Sequence, residues 1–171
     1  QEITGKAPAA FGDAAARNVT FSYGAQSILN DLSADFPQGK MVGIVGQSGC
    51  GKSTLLKLLM RFWQVDGGSI SIRQTNIDEI NTSDLRNMES YVTQQTHLFH
   101  DSIRSNLCVS KPDATDEDLI RACKKASIHD FIASLPQGYD TPVGELGDTL
   151  SGGEHQRLGL ARAFLHDTPL L

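Results

Sequence analysis

Gly46-Gln47-Ser48-Gly49-Cys50-Gly51-Lys52-Ser53-Thr54 fills every position of the pattern G-x-x-x-x-G-K-[ST]. Its flanks restrict the fold further. Met41 to Val45, just before it, is a short and nearly continuous apolar run, as in a strand buried on both faces. Leu55, Leu56, Leu58 and Leu59, just after it, form the apolar side of a helix. Between them the glycines let the backbone turn tightly, so that several N–H groups of Gly46, Gln47, Ser48, Gly49, Cys50 and Gly51 point at one anion. The N-terminus of the helix adds its partial positive charge. This spacing predicts a site for the phosphates of ATP. Lys52 reaches the β- and γ-phosphates, Ser53 ligates Mg²⁺ through its hydroxyl, and Thr54 meets the α-phosphate. The competing reading is a chance glycine-rich turn before a helix, and both flanks argue against it.

The rest of the composition bounds the setting. A chain of 171 residues has the size of one domain, and 39% hydrophobic with 20% charged residues is ordinary for a globular protein. A net charge of −5 leaves no basic footprint for a nucleic-acid partner. Cys50, Cys108 and Cys123 are an odd number at scattered spacings, neither a disulfide framework nor a metal site. They read as reduced thiols of a cytosolic environment, with Cys50 a small side chain tolerated in the loop. No apolar run has the roughly 18 residues needed to cross a bilayer.

Residues 1–16, rich in Ala, Gly and Pro, read as a linker. Val19, Phe21 and Tyr23 alternate with polar residues as in a half-buried strand, and Leu32, Ala34 and Phe36 repeat the pattern. Further strands are expected at Ser69–Ile72 and Ser90–Thr93, with another opening near Leu170. The region from Phe99 to Gln137 reads as mainly helical. Within it Thr115 to Asp118 resembles a capping box, followed by a face of Leu119, Ile120, Ala122, Cys123 and Ala126. A loop then runs from Pro136 to Thr149. A last helix opens at Ser151 and turns Leu158, Ala161 and Leu165 inward.

That helix opens with Leu150-Ser151-Gly152-Gly153-Glu154. Spacing leaves two readings. Ser151 and Glu154 make a capping box, or the Ser151 hydroxyl and the glycine N–H groups face a phosphate. Followed by His155-Gln156-Arg157 and Leu160-Ala161-Arg162-Ala163, the segment resembles the signature of ATP-binding cassette (ABC) transporters. Together with the phosphate loop it is identified as the nucleotide-binding domain of that family, from about Asn18 to Leu171. Leu98-Phe99 with Ser102 to Leu107, Phe131-Ile132 with Leu135 to Thr141, and Arg61-Phe62-Trp63 resemble the exporter branch.

The resemblance implies an α/β fold: a P-loop NTPase core, a mixed sheet around a helix, with an N-terminal antiparallel β portion and an inserted helical subdomain. Residues 1–16 would link to a preceding membrane domain. Residues 17–93 would carry the phosphate loop and β core, 94–165 the helical subdomain with the signature, and 166–171 the start of an acidic strand. Tyr23 matches the aromatic that stacks on adenine. Gln94 matches the glutamine that reaches Mg²⁺ and the attacking water. Ser151, Gly152, Gly153 and Glu154 match the signature that closes over ATP held by a second, identical or homologous nucleotide-binding domain. Thr141 to Glu145 resembles the loop that contacts coupling helices. The partners implied are that second domain and a transmembrane domain on the same polypeptide, at the cytoplasmic face of a cell membrane.

Two departures carry consequences. The fifth signature residue is Glu154 in place of the usual Gln, and a carboxylate near phosphate is repulsive unless it turns away; Glu154 is expected to turn back onto its own helix terminus. The turn at Arg73-Gln74-Thr75-Asn76 lacks its common glycine. The family's catalytic Glu and its switch His match no position of this chain. Lys52, Ser53 and Gln94 are thus expected to hold ATP without cleaving it here. The ATPase reading belongs to the full-length exporter, and the alternative is a degenerate regulatory module that holds ATP without turnover. A relative acting on DNA or in translation is disfavoured by the acidic charge and by the short spacing from Gln94 to Ser151.

Overall fold

The computed structural model describes residues 11–93, 96–146 and 150–171. It divides into two compact units, Gln1–Glu89 and Ser90–Leu171.

The first unit is built on β1 (Ala14–Tyr23), β2 (Gln26–Phe36), β3 (Gly67–Ile72) and β4 (Thr75–Asn76), in the order β2-β1-β3-β4 with every neighbour antiparallel. Alternation turns Ala14, Ala16, Val19 and Phe21 of β1 inward with Ile70 and Ile72 of β3. They pack with α1 (Lys52–Leu59) through Leu55, Leu58 and Leu59. A 3₁₀ turn at Ile77–Glu79 and α2 (Thr82–Met88) complete this core with Ile77, Ile80 and Leu85. A bulge interrupts β1 after Ala16. There Asn18 and, across from it, Asp31 both adopt left-handed backbone, at φ 48° and 54°. Both are residue types that tolerate it, and the Asn18 amide donates to the Asp31 carboxylate at 2.7 Å. Gly68 closes the same place: a Cβ on it would lie 2.3 Å from the carbonyls of Arg17 and Asn18.

The second unit is helical: α3 (Ile103–Cys108), α4 (Asp116–Lys125), α5 (His129–Ser134), a 3₁₀ turn at Gly138–Asp140, α6 (Val143–Leu146) and α7 (Gly152–His166). Leu119, Ala122 and Cys123 of α4 meet Leu158, Ala161 and Leu165 of α7 in one apolar cluster. The Thr115/Asp118 capping box is present with both of its hydrogen bonds. Asn106, 1% exposed, spends its side chain on the backbone of Phe99 and Ser102.

Several expectations need correction. Met41–Val45 is not a strand: Met41 is fully exposed and Val45 92% exposed. A strand is held by a hydrogen-bonded neighbour, and these residues make no backbone hydrogen bond to a described residue. The sheet of the described residues is therefore antiparallel, not mixed. Ser90–Thr93 forms no strand either, nor does the segment at Leu170; the Ser90 N–H donates to the Leu170 carbonyl at 2.8 Å, but no ladder follows. Ala14–Ala16, read as linker, begin β1. Leu56, read as core, is 37% exposed. The loop from Pro136 carries the 3₁₀ turn and α6. The glycine-free turn places Arg73 and Gln74 at φ 48° and 67°, the left-handed pair that a two-residue hairpin requires.

Candidate functional site

The phosphate loop lies exposed between β2 and α1. The Cys50 N–H closes a turn onto the Gln47 carbonyl at 3.3 Å. Gly49 and Gly51 then take φ 80° and 98°. At Gly51 glycine is required twice over. The backbone is left-handed, and a Cβ would lie 2.9 Å from Leu29 Cδ2 and 3.1 Å from Ile28 Cγ2. The β1–β2 hairpin thus presses the end of the loop into place. Gly51 is also the N-cap of α1 and offers no side-chain acceptor, and the first turn holds no acidic residue. The N–H groups of Gly49, Gly51, Lys52, Ser53 and Thr54 find no acceptor among the described residues. The positive end of α1 is left open to an anion.

Lys52 folds back over this loop. Its ammonium donates to the carbonyls of Gly46 at 2.9 Å and Gln47 at 2.6 Å, and lies 3.7 Å from the Cys50 thiol. Cys50 packs against Gly46, where a Cβ would come within 2.6 Å of its sulfur. Ser53 is exposed, whereas Thr54 is buried against the core. The donor set is that of an anion site: converging N–H groups and one ammonium, with no carboxylate among them. Mg²⁺ takes oxygen ligands and relies on phosphates for several of them. Ser53 offers one hydroxyl oxygen, and no three His, Cys, Asp or Glu residues cluster among the described residues to hold a metal by themselves. The residues therefore fit Mg²⁺ arriving with a phosphate ligand rather than a resident ion.

Tyr23 belongs to the same unit. It ends β1, is 41% exposed, and meets Phe21 and Trp63 edge-on at centroid distances of 4.9 and 5.8 Å.

The second glycine-led helix start lies in the other unit. Ser151 is the N-cap of α7. Its hydroxyl accepts from the Glu154 N–H at 3.4 Å, and the Glu154 carboxylate accepts from the Ser151 N–H at 2.9 Å. The capping box is formed, and Glu154 turns onto its own helix terminus as expected. Gly152 and Gly153 remain exposed; a Cβ on Gly152 would meet nothing within 4 Å.

Gln94 falls outside the described residues. The segment after it, however, is tied firmly to α7. A Cβ on Gly159 would come within 2.5 Å of the Thr96 hydroxyl. Arg162 donates to the carbonyls of His97 at 2.7 Å and Asn106 at 2.8 Å, and to the Asn106 side chain at 2.7 Å. Burial lowers the pKa of its guanidinium. The role of Arg162 was not visible in the sequence. An arginine in a helix is usually a solvated one, and its acceptors are mostly backbone carbonyls, which leave no sequence mark.

Residues 29–171 match the family described as ABC transporter. The chain belongs to the ABC transporter family. It is 53% identical over 154 residues to a probable ABC transporter ATP-binding/permease protein of Haemophilus influenzae, covering 90% of this chain and 28% of that protein. It is 47% identical over 154 residues to an ATP-dependent lipid A-core flippase of Desulfotalea psychrophila, covering 90% of this chain and 27% of that one. Its fold matches a bacterial Atm1-family ABC exporter solved with ATP bound, at a TM-score of 0.86 and 41% identity, over 94% of this chain and 29% of the exporter. The fold class is thus that of an ABC exporter's nucleotide-binding domain. The ABC chain spans under a third of the length of these relatives. No helix of its described residues is long and apolar enough to cross a membrane.

Proposed function

We propose that this ABC domain binds MgATP and is the ATP-driven part of a membrane exporter. The open positive end of α1, with its unpaired N–H groups and Lys52, carries the reading. In it, Gly46 to Gly51 wrap the β-phosphate, and Lys52 leaves the Gly46 and Gln47 carbonyls for the β- and γ-phosphates. Thr54 borders the α-phosphate and Tyr23 stacks on adenine. Ser53 and Gln94 hold Mg²⁺, which when bound neutralises phosphate charge.

Ser151, Gly152 and Gly153 serve the γ-phosphate of a second, facing domain. The chain's own packing does not demand a glycine at 152, which leaves space for that approach. Glu154 does not oppose it, because its charge is held on the Ser151 N–H. Two domains meeting head to tail then form two composite sites. ATP favours the closed pair over the open one, and the difference in affinity drives the change of state. The relatives named as ATP-binding/permease proteins support a membrane domain on the same polypeptide, and with it a place at the cytoplasmic face of a membrane. The 171-residue chain alone is expected to turn over no ATP, since none of its residues, Glu145 and Glu154 included, matches the family's water-activating carboxylate.

Equilibrium binding of MgATP to this chain and to Lys52→Ala tests the site. Loss of binding in the variant supports it, and equal affinity refutes it. Steady phosphate release from the isolated chain that disappears in Lys52→Ala would refute the inactivity of the chain.

A further inference from the structure

Tyr23 stands at the least supported end of its sheet. The β1–β3 ladder stops at the Thr20–Gly67 pair, so Tyr23 is paired only with Gln26, beside the tip of the hairpin. The register also slips between Phe21 and Ser22. Backbone pairing therefore does little to fix the Tyr23 ring. Two other rings meet it: Phe21 at an interplanar angle of 90° and Trp63 at 88°. Phe21 is buried at 4% exposure, whereas Trp63 is 48% exposed and lies beside Tyr23 at the surface.

Trp63 is itself held from both sides. Before it, Arg61 donates to the carbonyls of Ile77 and Ile80 and to the Thr82 hydroxyl. The Phe62 N–H bonds the Lys57 carbonyl at 2.8 Å, and the Arg86 guanidinium lies 4.9 Å over the Phe62 ring. After it, the Asp66 N–H donates to the Thr20 carbonyl at 2.9 Å, and the Asp66 carboxylate accepts from the Ser22 N–H at 2.7 Å. The indole is thus placed by α1, the helix that begins at the phosphate loop, and by the β1 backbone next to Tyr23. Edge-to-face ring pairs have a preferred geometry and resist rotation out of it.

We propose that Trp63 is a positioning residue for the nucleotide base: it fixes the Tyr23 ring in the orientation that receives adenine, and links that orientation to the phosphate loop through α1. The inference rests on Tyr23 being the base-stacking residue. Trp63 is the single tryptophan of the chain, so its emission reports on the base site directly.

The test uses the 171-residue chain with two probes, MgATP and Mg-tripolyphosphate, the second carrying phosphates without a base. In the wild type, MgATP changes the Trp63 emission and tripolyphosphate does not. Trp63→Ala weakens MgATP by about tenfold, the scale of one lost base–aromatic stack, and leaves tripolyphosphate within about twofold. Tyr23→Ala does the same, and the double variant is no worse than either single one, as for residues acting as a unit. Trp63→Phe, which keeps a ring and the packing, restores most of the preference for ATP. If Tyr23→Ala loses the preference for ATP while Trp63→Ala keeps it, the positioning role falls and base stacking stands. If Tyr23→Ala also keeps it, the base-stacking reading fails and this proposal with it. Emission that responds equally to both probes overturns the proposal without any variant.

Discussion

α1 and α7 both open on glycines, yet their N-termini are finished in opposite ways. At α1 the cap is Gly51, in left-handed backbone, with no side-chain acceptor and no acid in the first turn. At α7 the cap is Ser151, in extended backbone, and the Ser151/Glu154 box satisfies two N–H groups from within. Unpaired N–H groups at a helix start cost stability unless something accepts from them. α1 therefore leaves its exposed N–H groups to water or an anion, and α7 satisfies two of its own. On the proposed reading, the first terminus holds a ligand and the second meets one held elsewhere.

The sharpest way to break this comparison is to put a methyl group on one glycine at each helix start, the cap Gly51 of α1 and the first residue Gly152 of α7. Gly51→Ala combines left-handed backbone with a clash on Leu29 and Ile28. It is expected to destabilise the first unit by about 3 kcal/mol and to abolish nucleotide binding. Gly152→Ala meets nothing in its own chain, so stability should stay within about 0.5 kcal/mol. Thermal unfolding of the two variants side by side decides; equal losses would show that the caps do not differ. Next in size, Lys52→Ala should weaken MgATP by about 100-fold through loss of a charge-assisted contact, with no drop in unfolding temperature. A melting point that falls with it would mean that the bonds to Gly46 and Gln47 are structural.

Ser151→Ala removes the acceptor at the closed terminus and should cost about 1 kcal/mol. Glu154→Gln keeps an acceptor and loses only a charge near the helix start, about 0.5 kcal/mol. In the full-length protein it should leave ATP-driven association of two domains unchanged; tighter association in the Gln variant would show that the carboxylate repels phosphate after all. The last effect is silent at neutral pH and emerges only in alkali. Burial pushes the Cys123 thiol from 9.0 up to about 11, with its hydrogen bond to Tyr139 opposing the shift. The folded state keeps its proton when the unfolded chain has lost it. The associated stability is complete below pH 9 and declines from there to about pH 11. Cys123→Ala should flatten that decline. Iodoacetamide at pH 8 should reach the exposed Cys50 and spare the buried Cys123.

The positions of both helix starts could be read from the residues, because a cap is closed within about four residues of chain, although spacing left open which of two readings the Ser151 start takes. The Thr115/Asp118 box and the inward face of Leu158, Ala161 and Leu165 were legible for the same reason: each repeats or closes over one or two turns. Met41–Val45 was misread as a strand for the converse reason. Its composition suits a buried strand, but a strand exists only when a distant segment supplies its ladder, and among the described residues none does. The start of β1 at Ala14 was missed because alanines carry too little apolar contrast to show an alternation.

The sequence alone determined the chemistry each helix start carries: glycines and Lys52 at one, Ser151 and Glu154 at cap spacing at the other. These depend on residues within hydrogen-bonding reach along the chain. Only the tertiary structure decided that Gly51 is wedged under Leu29 and Ile28, that Arg162 ties α7 to the segment after Gln94, and that Trp63 lies edge-on to Tyr23. Those contacts join residues remote in sequence. They arise from the way the hairpin and the helices pack, which no local spacing encodes.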